Sequence, residues 1–566
     1  MILKRPSLQP PNPKIHYIDF LIADFYTHIS KKNTPQANKK HDLLIKEKNF
    51  MKKLALNTSS FEKLRTGNLI YVDKTKWISR LLDNGEAYFL SRPRRFGKSL
   101  TISTLNELFS GNKKLFKGLY IENKWEFDSY PVLVFDFNEI DTSNPENLTE
   151  SLKENLLNIG KTHNIHLDKN KLLKNLFLNI LTALYEKYNE NLVILVDEYD
   201  KPIIDHLAKD EIKIAKQNRE ILESFFGTLK GANIVDKLKF IFVTGVSRFS
   251  KVSIFSKWNN LTDITMSGEY SDFLGYSEDE IKEYFDEYLY EFCEEMGISI
   301  EECIDKLKYY YNGYRFSKKD IKVFNPISLM NCLKDKEFKN YWFSTATPKF
   351  LVELIKENNY YIPNLENVRA GSGMLENFDI ENLQIIPMLF QTGCLTIKDH
   401  DGTLVSLSYP NEEVKKSFNE ILLQNITNKF DSAAYANELG LAFKNEDFEE
   451  AKFFINAIFN EIPYPHFKNA DENYFHTIIY MSLSLIGYNT RSELLNSRGR
   501  LDLALIFPDK VYVIEFKCNS SADVAINQIK EKGYAKKWEN KNIRTILCGI
   551  SFDSEKREVS DILFEE

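Results

Sequence analysis

Short continuous apolar runs alternate with helical periodicity through the first half of the chain. Glu86 to Leu90, Pro131 to Phe137, Asn191 to Val196 and Lys239 to Thr244 read as strands, with helices over Lys98 to Phe109, Asn170 to Tyr188 and Glu211 to Leu229. Strands that are apolar on both faces and separated by helices predict a parallel sheet covered on both sides, an α/β sandwich. Beyond Gly275 the pattern changes to helices rich in Tyr, Phe and Glu, broken by Tyr311-Asn312-Gly313-Tyr314 and Phe324-Asn325-Pro326, with a short hairpin over 395–408 turning at Asp401-Gly402. Pro463-Tyr464-Pro465 reads as a linker. After it, Glu472 to Ile486 reads as a helix, Leu501 to Phe507 and Val511 to Lys517 as two strands, Ala522 to Tyr534 as a helix and Arg544 to Ile550 as a strand. The expected organisation is a basic extension (1–50), an α/β module (51–275), a mainly helical middle region (276–465) and a small α/β module (466–566).

A chain of 566 residues has room for two to four domains. With 43% hydrophobic and 27% charged residues, it has the balance of a folded protein. The apolar runs are too short to span a bilayer and the N-terminus lacks a signal-peptide core, so a cytoplasmic, membrane-free protein is expected. Six cysteines without a CxxC pair argue against a zinc site or a disulfide framework. A net charge of −7 leaves any nucleic-acid binding to local patches. Residues 1–50 carry nine Lys or Arg against four Asp or Glu and show no periodicity, which marks an appended, disordered segment; Met51 is a candidate alternative start.

Arg92-Pro93-Arg94-Arg95-Phe96-Gly97-Lys98-Ser99 follows a strand and opens a helix, the setting of a phosphate-binding loop. Backbone N–H groups there cradle phosphates, Lys98 reaches the β and γ phosphates, and Ser99 holds magnesium. Arg92 stands where the usual first glycine would be, so the opposing reading is a plain basic turn. A second apolar strand, ending in Asp197-Glu198, decides between them: one carboxylate for the magnesium shell and the next for the attacking water. The third strand ends Thr244-Gly245-Val246-Ser247-Arg248, where Thr244 or Ser247 is placed to meet the γ-phosphate and Arg248 to neutralise charge.

In the last module, a two-residue loop at Pro508-Asp509 would pair Phe507 with Lys510 and bring Asp502 opposite Glu515, with Lys517 on the same face. A four-residue loop keeps that face; a three-residue loop flips one strand. Opposed carboxylates repel unless something bridges them, and oxygen ligands suit magnesium or manganese. The alternative is a half-exposed hairpin with an incidental Asp and a Glu–Lys surface pair. His476, one turn beyond Glu472, reads as a structural or surface histidine rather than a ligand, and Arg498-Gly499-Arg500 supplies local positive charge for a nucleic-acid backbone.

Together with Tyr71-Val72-Asp73-Lys74-Thr75, Val196-Asp197-Glu198-Tyr199-Asp200, Tyr311–Tyr314 and Gly499-Arg500-Leu501-Asp502 with Glu515-Phe516-Lys517, these segments resemble a bacterial AAA-ATPase-like family whose members end in a PD-(D/E)XK nuclease-superfamily domain. The resemblance runs from about residue 51 to the end, and the family tolerates the missing first glycine. It implies a P-loop sandwich, a helical middle and a PD-(D/E)XK-like α/β domain. It also implies that Lys98 and Ser99 contact nucleotide and magnesium and that Asp197 and Glu198 form the acidic motif; with Arg94, Arg95, Phe96, Gly97, Thr244 and Arg248 from the residue reading, these make up the expected ATP and Mg2+ site, with Glu198 catalytic. Asp502, Glu515 and Lys517 match the nuclease core, with Glu472 as the helix carboxylate and Gln528 as the helix amide; the second metal set is Glu472, Asp502 and Glu515.

The expected activity is ATP binding and hydrolysis coupled to Mg2+- or Mn2+-dependent cleavage of nucleic acid. The alternative is a nucleotide-dependent switch that grips nucleic acid or a protein without cutting. A homo-oligomer would let Arg248 or an arginine of the basic turn act in trans.

Overall fold

The buried pattern of four strands organises the first module. β1 (Ala87–Ser91), β2 (Val132–Asp136), β3 (Leu192–Asp197) and β4 (Leu238–Gly245) join a two-residue β5 (Thr262–Asp263) in a wholly parallel sheet of order β2-β3-β4-β1-β5. Every residue of β3 is buried, as a strand covered on both faces requires. A turn over 92–97 leads from β1 into helix α1 (Lys98–Phe109). The computed structural model describes residues 51–248, 261–342, 349–375, 380, 383–427, 432–463, 471–486, 489–496, 498–539 and 543–566. The expected basic extension and most of the expected linker, Tyr464 and Pro465, lie outside them.

The middle region is mainly helical, as expected, and adds a small antiparallel sheet. Its strands are β6 (Val368–Gly371), β7 (Thr396–His400) and β8 (Leu404–Ser408), in the order β6-β8-β7. The Asp401 side chain accepts from the N–H groups of Thr403 and Leu404 and closes the hairpin. Helix α2 (Glu412–Thr427) follows.

The C-terminal module opens with α3 (Glu472–Ser484). A three-strand meander follows, β9 (Asn489–Asn496), β10 (Gly499–Ile506) and β11 (Lys510–Cys518), then α4 (Ala522–Lys532), β12 (Arg544–Asp553) and β13 (Glu558–Glu565). The sheet order is β13-β12-β11-β10-β9, parallel only between β11 and β12. Strands β9 and β13 are additions to the sequence reading, which saw a hairpin where there is a meander.

One apolar core continues from Phe61 and the strands of the first sheet, through Met388, Leu389 and Phe418, to Phe516 and Val559. The described C-terminal module is therefore packed into the same core as the rest. All six cysteines are free thiols, five of them buried. No helix among the described residues is long and apolar enough to cross a membrane.

Candidate functional sites

At the carboxyl end of β1, the turn into α1 places Gly97 at φ +97°, a left-handed conformation that a side chain would strain, and an added Cβ would meet nothing within 4 Å. Lys98 is buried beneath the turn. Its Nζ donates to the carbonyls of Arg92 (3.1 Å) and Pro93 (3.2 Å) and pairs with Glu198 Oε1 at 3.3 Å. Glu198 holds φ +51° at the end of β3, rare for a residue with a side chain and typical of functional turns. Asp197 accepts from Thr244 Oγ1 at 2.6 Å and from the Ser99 hydroxyl; burial, then the neighbouring Glu198, pushes its carboxyl up. Ser99, Lys98, Asp197, Glu198 and Thr244 thus converge, with Thr244 spent on Asp197. The second half of the acidic motif is scaffolding: Asp200 accepts from the N–H groups of Val246 and Ser247 and from Ser247 Oγ, and Tyr199 donates to the Ser247 carbonyl.

Arg92 explains the absent glycine. Its guanidinium turns into the core, donating to the carbonyls of Ser91, Thr265 and Tyr270 and lying 4.2 Å over the Phe316 ring. Burial lowers its pKa to about 9. Arg248 is likewise committed, its side chain paired with Asp263 and its N–H donated to Gln391 Oε1. The phosphate or trans role expected of it requires that pair to break.

The middle region braces the loop. Phe96 packs edge-on against Tyr314 of the Tyr-Asn-Gly-Tyr motif at 4.8 Å and against Phe316 at 5.5 Å, and Arg95 donates to the Tyr341 carbonyl at 3.1 Å. Glu413, at the start of α2, accepts from the N–H groups of Tyr341 and Trp342 at 2.6 and 2.8 Å. Sequence reasoning missed this contact set because its partners are far apart along the chain. A cavity of about 1140 Å³ opens beside Lys98 and Ser99 and extends to Leu56, Tyr276 and Met330. Lys74 of the Tyr-Val-Asp-Lys-Thr motif borders it, paired with Glu280 at 2.6 Å.

Burial raises the Glu413 carboxyl to about 7 against the opposing pulls of Ser328, two backbone N–H groups and Arg95. The folded chain therefore holds a proton there that the unfolded chain has released, and stability falls as pH rises from the ordinary carboxylate range through about 7. Glu413→Gln is expected to stabilise the chain increasingly between about pH 5 and 8, by up to roughly 3 kcal/mol. Thermal melts across that range check this; a pH-independent difference from the parent chain contradicts it.

In the C-terminal module the loop is the two-residue one: the Phe507 N–H donates to the Lys510 carbonyl at 2.8 Å, and Leu503 pairs with Ile514. That register sets Asp502 across from Glu515. Asp502 Oδ2 accepts from the Phe516 N–H at 2.9 Å, and Lys517 Nζ stands 3.6 Å from Glu515 Oε1. Gln528 of α4 donates to the same Glu515 oxygen, and the Tyr534 hydroxyl bonds Gln528 in turn. Gly499 makes room for that hydroxyl, since an added Cβ would stand 2.6 Å from it. Both acidic groups are pushed up, Asp502 chiefly by burial and Glu515 by burial and then by Asp502.

Glu472 stands beside the pair and adds to the upward push on both carboxyls. It accepts from the Cys518 N–H and lies 4.0 Å from Lys517, and among the described residues no group of three or more His, Cys, Asp or Glu stands ready to share a metal ion. His476 is buried and bonded to Tyr361. The two-carboxylate face itself fits a hard divalent ion: Glu515 Oε2 is buried with no hydrogen-bond partner among the described residues, and oxygen donors suit magnesium or manganese.

The chain is 34% identical over 535 residues to an uncharacterized protein in the vnfD 5' region of Azotobacter chroococcum mcd 1, covering 91% of this chain and 99% of that one. Family models described as a predicted AAA-ATPase and as the PD-(D/E)XK nuclease superfamily match residues 55–255 and 470–561. The chain belongs to the AAA-ATPase-like family that ends in a PD-(D/E)XK nuclease-superfamily domain. The Arg92–Ser99 turn and the Asp197-Glu198 strand end fall inside the first match, and Asp502, Glu515, Lys517 and Gln528 inside the second. Among solved structures, the Aeropyrum pernix ORC2 protein in ADPNP-ADP complexes is similar at 12% identity, with 68% of this chain and 92% of that one covered and a TM-score of 0.25. CDC6P from Pyrobaculum aerophilum is similar at 11% identity, with 71% and 98% covered and a TM-score of 0.21.

Proposed function

We propose that the chain binds and hydrolyses ATP at the Lys98–Glu198 site, and that the nucleotide state governs a divalent-metal-dependent cleavage of nucleic-acid phosphodiesters at the Asp502–Glu515 face. The observation that carries the reading is the convergence of Asp502, Glu515, Lys517 and Gln528 on one face, with a buried carboxylate oxygen left without a hydrogen bond. At the first site, Lys98 neutralises phosphate charge, Ser99 and Asp197 hold magnesium, and Glu198 leaves Lys98 to orient the attacking water. At the second, Asp502 and Glu515 hold the ion, Gln528 keeps Glu515 in place, and Lys517 donates to the phosphate. A bound magnesium or manganese ion supplies Lewis acidity toward the phosphoryl oxygens.

Glu198→Gln is expected to keep ATP affinity within a few-fold while slowing hydrolysis by about 100-fold or more, because the carboxylate acts on water and not on the nucleotide. Phosphate release by the full chain measures this, and turnover at the parental rate would remove Glu198 from the chemistry.

One observation favours a second reading, a nucleotide-dependent switch that grips nucleic acid or a protein without cutting: no three metal-ligating side chains stand together among the described residues. Labelled DNA and RNA incubated with the full chain, magnesium or manganese, and ATP, ADP or no nucleotide separate the two. Cleavage supports the enzyme; nucleotide-dependent binding without cleavage in any combination supports the switch.

A further inference from the structure

Tyr361 belongs to the middle region, yet its hydroxyl lies in the C-terminal module, bonded to His476 Nδ1 and Glu493 Oε1. An ionised carboxylate only accepts, so the phenol proton points to Glu493 and the imidazole proton sits on Nδ1. His476 packs against Phe516, the neighbour of Glu515, with ring centroids 4.7 Å apart, and its Nε2 lies 3.5 Å from Ser492 Oγ. Ser492 Oγ donates to the Asp502 carbonyl at 3.0 Å. Tyr361 thus reaches the site through Glu493, with His476 packed beside the strand that carries Asp502.

Glu493 falls between the paired positions Leu501–Leu494 and Leu503–Ser492, which sets it across from Asp502 on the side away from Glu515. It holds φ +56°, a region that residues with a side chain rarely occupy, and the ladder is interrupted there. Its carboxylate is buried and pairs with Nε of Arg500, whose side chain is 53% exposed. Arg500 lies two residues before Asp502, on the same strand. A buried acid in a strained conformation is an expensive way to fill a core position, and an apolar residue would serve packing better. The arrangement makes sense if the orientation of Arg500 is what it secures.

We propose that Tyr361 is a positioning residue of the C-terminal site, contributed by the middle region: it fixes Glu493, and Glu493 aims the Arg500 guanidinium beside Asp502 to take a phosphate of the bound nucleic-acid strand. The inference rests on the phosphodiester reading of that face. With Nε held by Glu493, the outer edge of the guanidinium offers the planar fork that suits phosphate oxygens. The site is then incomplete without the middle region.

The test uses the full chain and labelled single- and double-stranded DNA and RNA oligonucleotides, with binding followed against salt and cleavage followed in magnesium or manganese. Arg500→Ala, Glu493→Gln and Tyr361→Phe are each expected to slow cleavage by about tenfold. Arg500→Ala and Glu493→Gln are also expected to flatten the dependence of log affinity on log salt by about one phosphate contact. The Tyr361→Phe/Arg500→Ala double variant should be no worse than Arg500→Ala alone, because the tyrosine acts through the arginine. A merely structural tyrosine would instead lower Tm and give additive losses. Additive losses, or Tyr361→Phe and Glu493→Gln both cutting like the parent while Arg500→Ala does not, overturn the proposal and leave the phosphodiester reading standing. A parent chain that neither binds nor cuts any of the oligonucleotides, indistinguishable from Asp502→Asn, removes that reading and this one with it.

Discussion

Lys98→Ala is expected to lower affinity for ATP with magnesium by about 100-fold, near 3 kcal/mol, because it removes a buried side-chain cation at the head of α1. The lysine spends its protons on the carbonyls of Arg92 and Pro93 and pairs with Glu198, so the substitution also unties the turn and leaves Glu198 without that partner. Lys98→Arg should rescue little, since a forked guanidinium does not fit where a compact ammonium is held by two carbonyls. Calorimetric titration of the full chain with a slowly hydrolysed ATP analogue measures the loss. Equal affinity in the parent and Lys98→Ala proteins would mean that the basic turn is no phosphate cradle.

The second large effect concerns Asp502. Magnesium or manganese at a hundredfold excess over its Kd should stabilise the chain by about 2.7 kcal/mol, seen as a rise of a few degrees in Tm. Asp502→Asn should abolish both that response and any phosphodiester cleavage. The same substitution should raise Tm without metal, because it removes an acidic group that burial pushes up and that in turn pushes up the buried Glu515. Lys517→Ala should keep the metal response and lose cleavage, since in the proposed reading the lysine serves the phosphate and not the ion. The full chain is the proper sample, because Phe516 and Val559 share their core with the first module. A melting temperature indifferent to both metals, with and without nucleic acid, would make this face ordinary surface.

Much of this arrangement is legible in the sequence. The strands of the first sheet read clearly because burial on both faces leaves unbroken apolar runs, and α1 was read over its observed span of Lys98 to Phe109. The Asp502–Glu515 register followed from a period of two and a turn of Pro508 and Asp509. Strand β9 escaped because Asn489-Thr490-Arg491-Ser492-Glu493 carries too little apolar alternation; its edge is satisfied instead by the middle region, where Glu366 accepts from the Ser492 N–H at 2.9 Å. The tasks of Arg92, Arg248 and Glu493 were illegible for a different reason. A charged residue in a sequence reads as solvated, and only its partners reveal that it is buried: carbonyls from Thr265 and Tyr270, an aspartate at 263, a tyrosine at 361.

Arg92 has a consequence for how nucleotide would arrive. A glycine at that position leaves the loop backbone free to wander, and about 1 kcal/mol of conformational entropy must then be surrendered when a ligand orders it. Here the loop is held from behind by an arginine gripping three carbonyls and an aromatic ring, so that entropy is lost when the chain folds. Capture of ATP should accordingly proceed in a single kinetic phase whose rate is linear in nucleotide concentration, without the slow, saturating step that a loop closing after encounter would add.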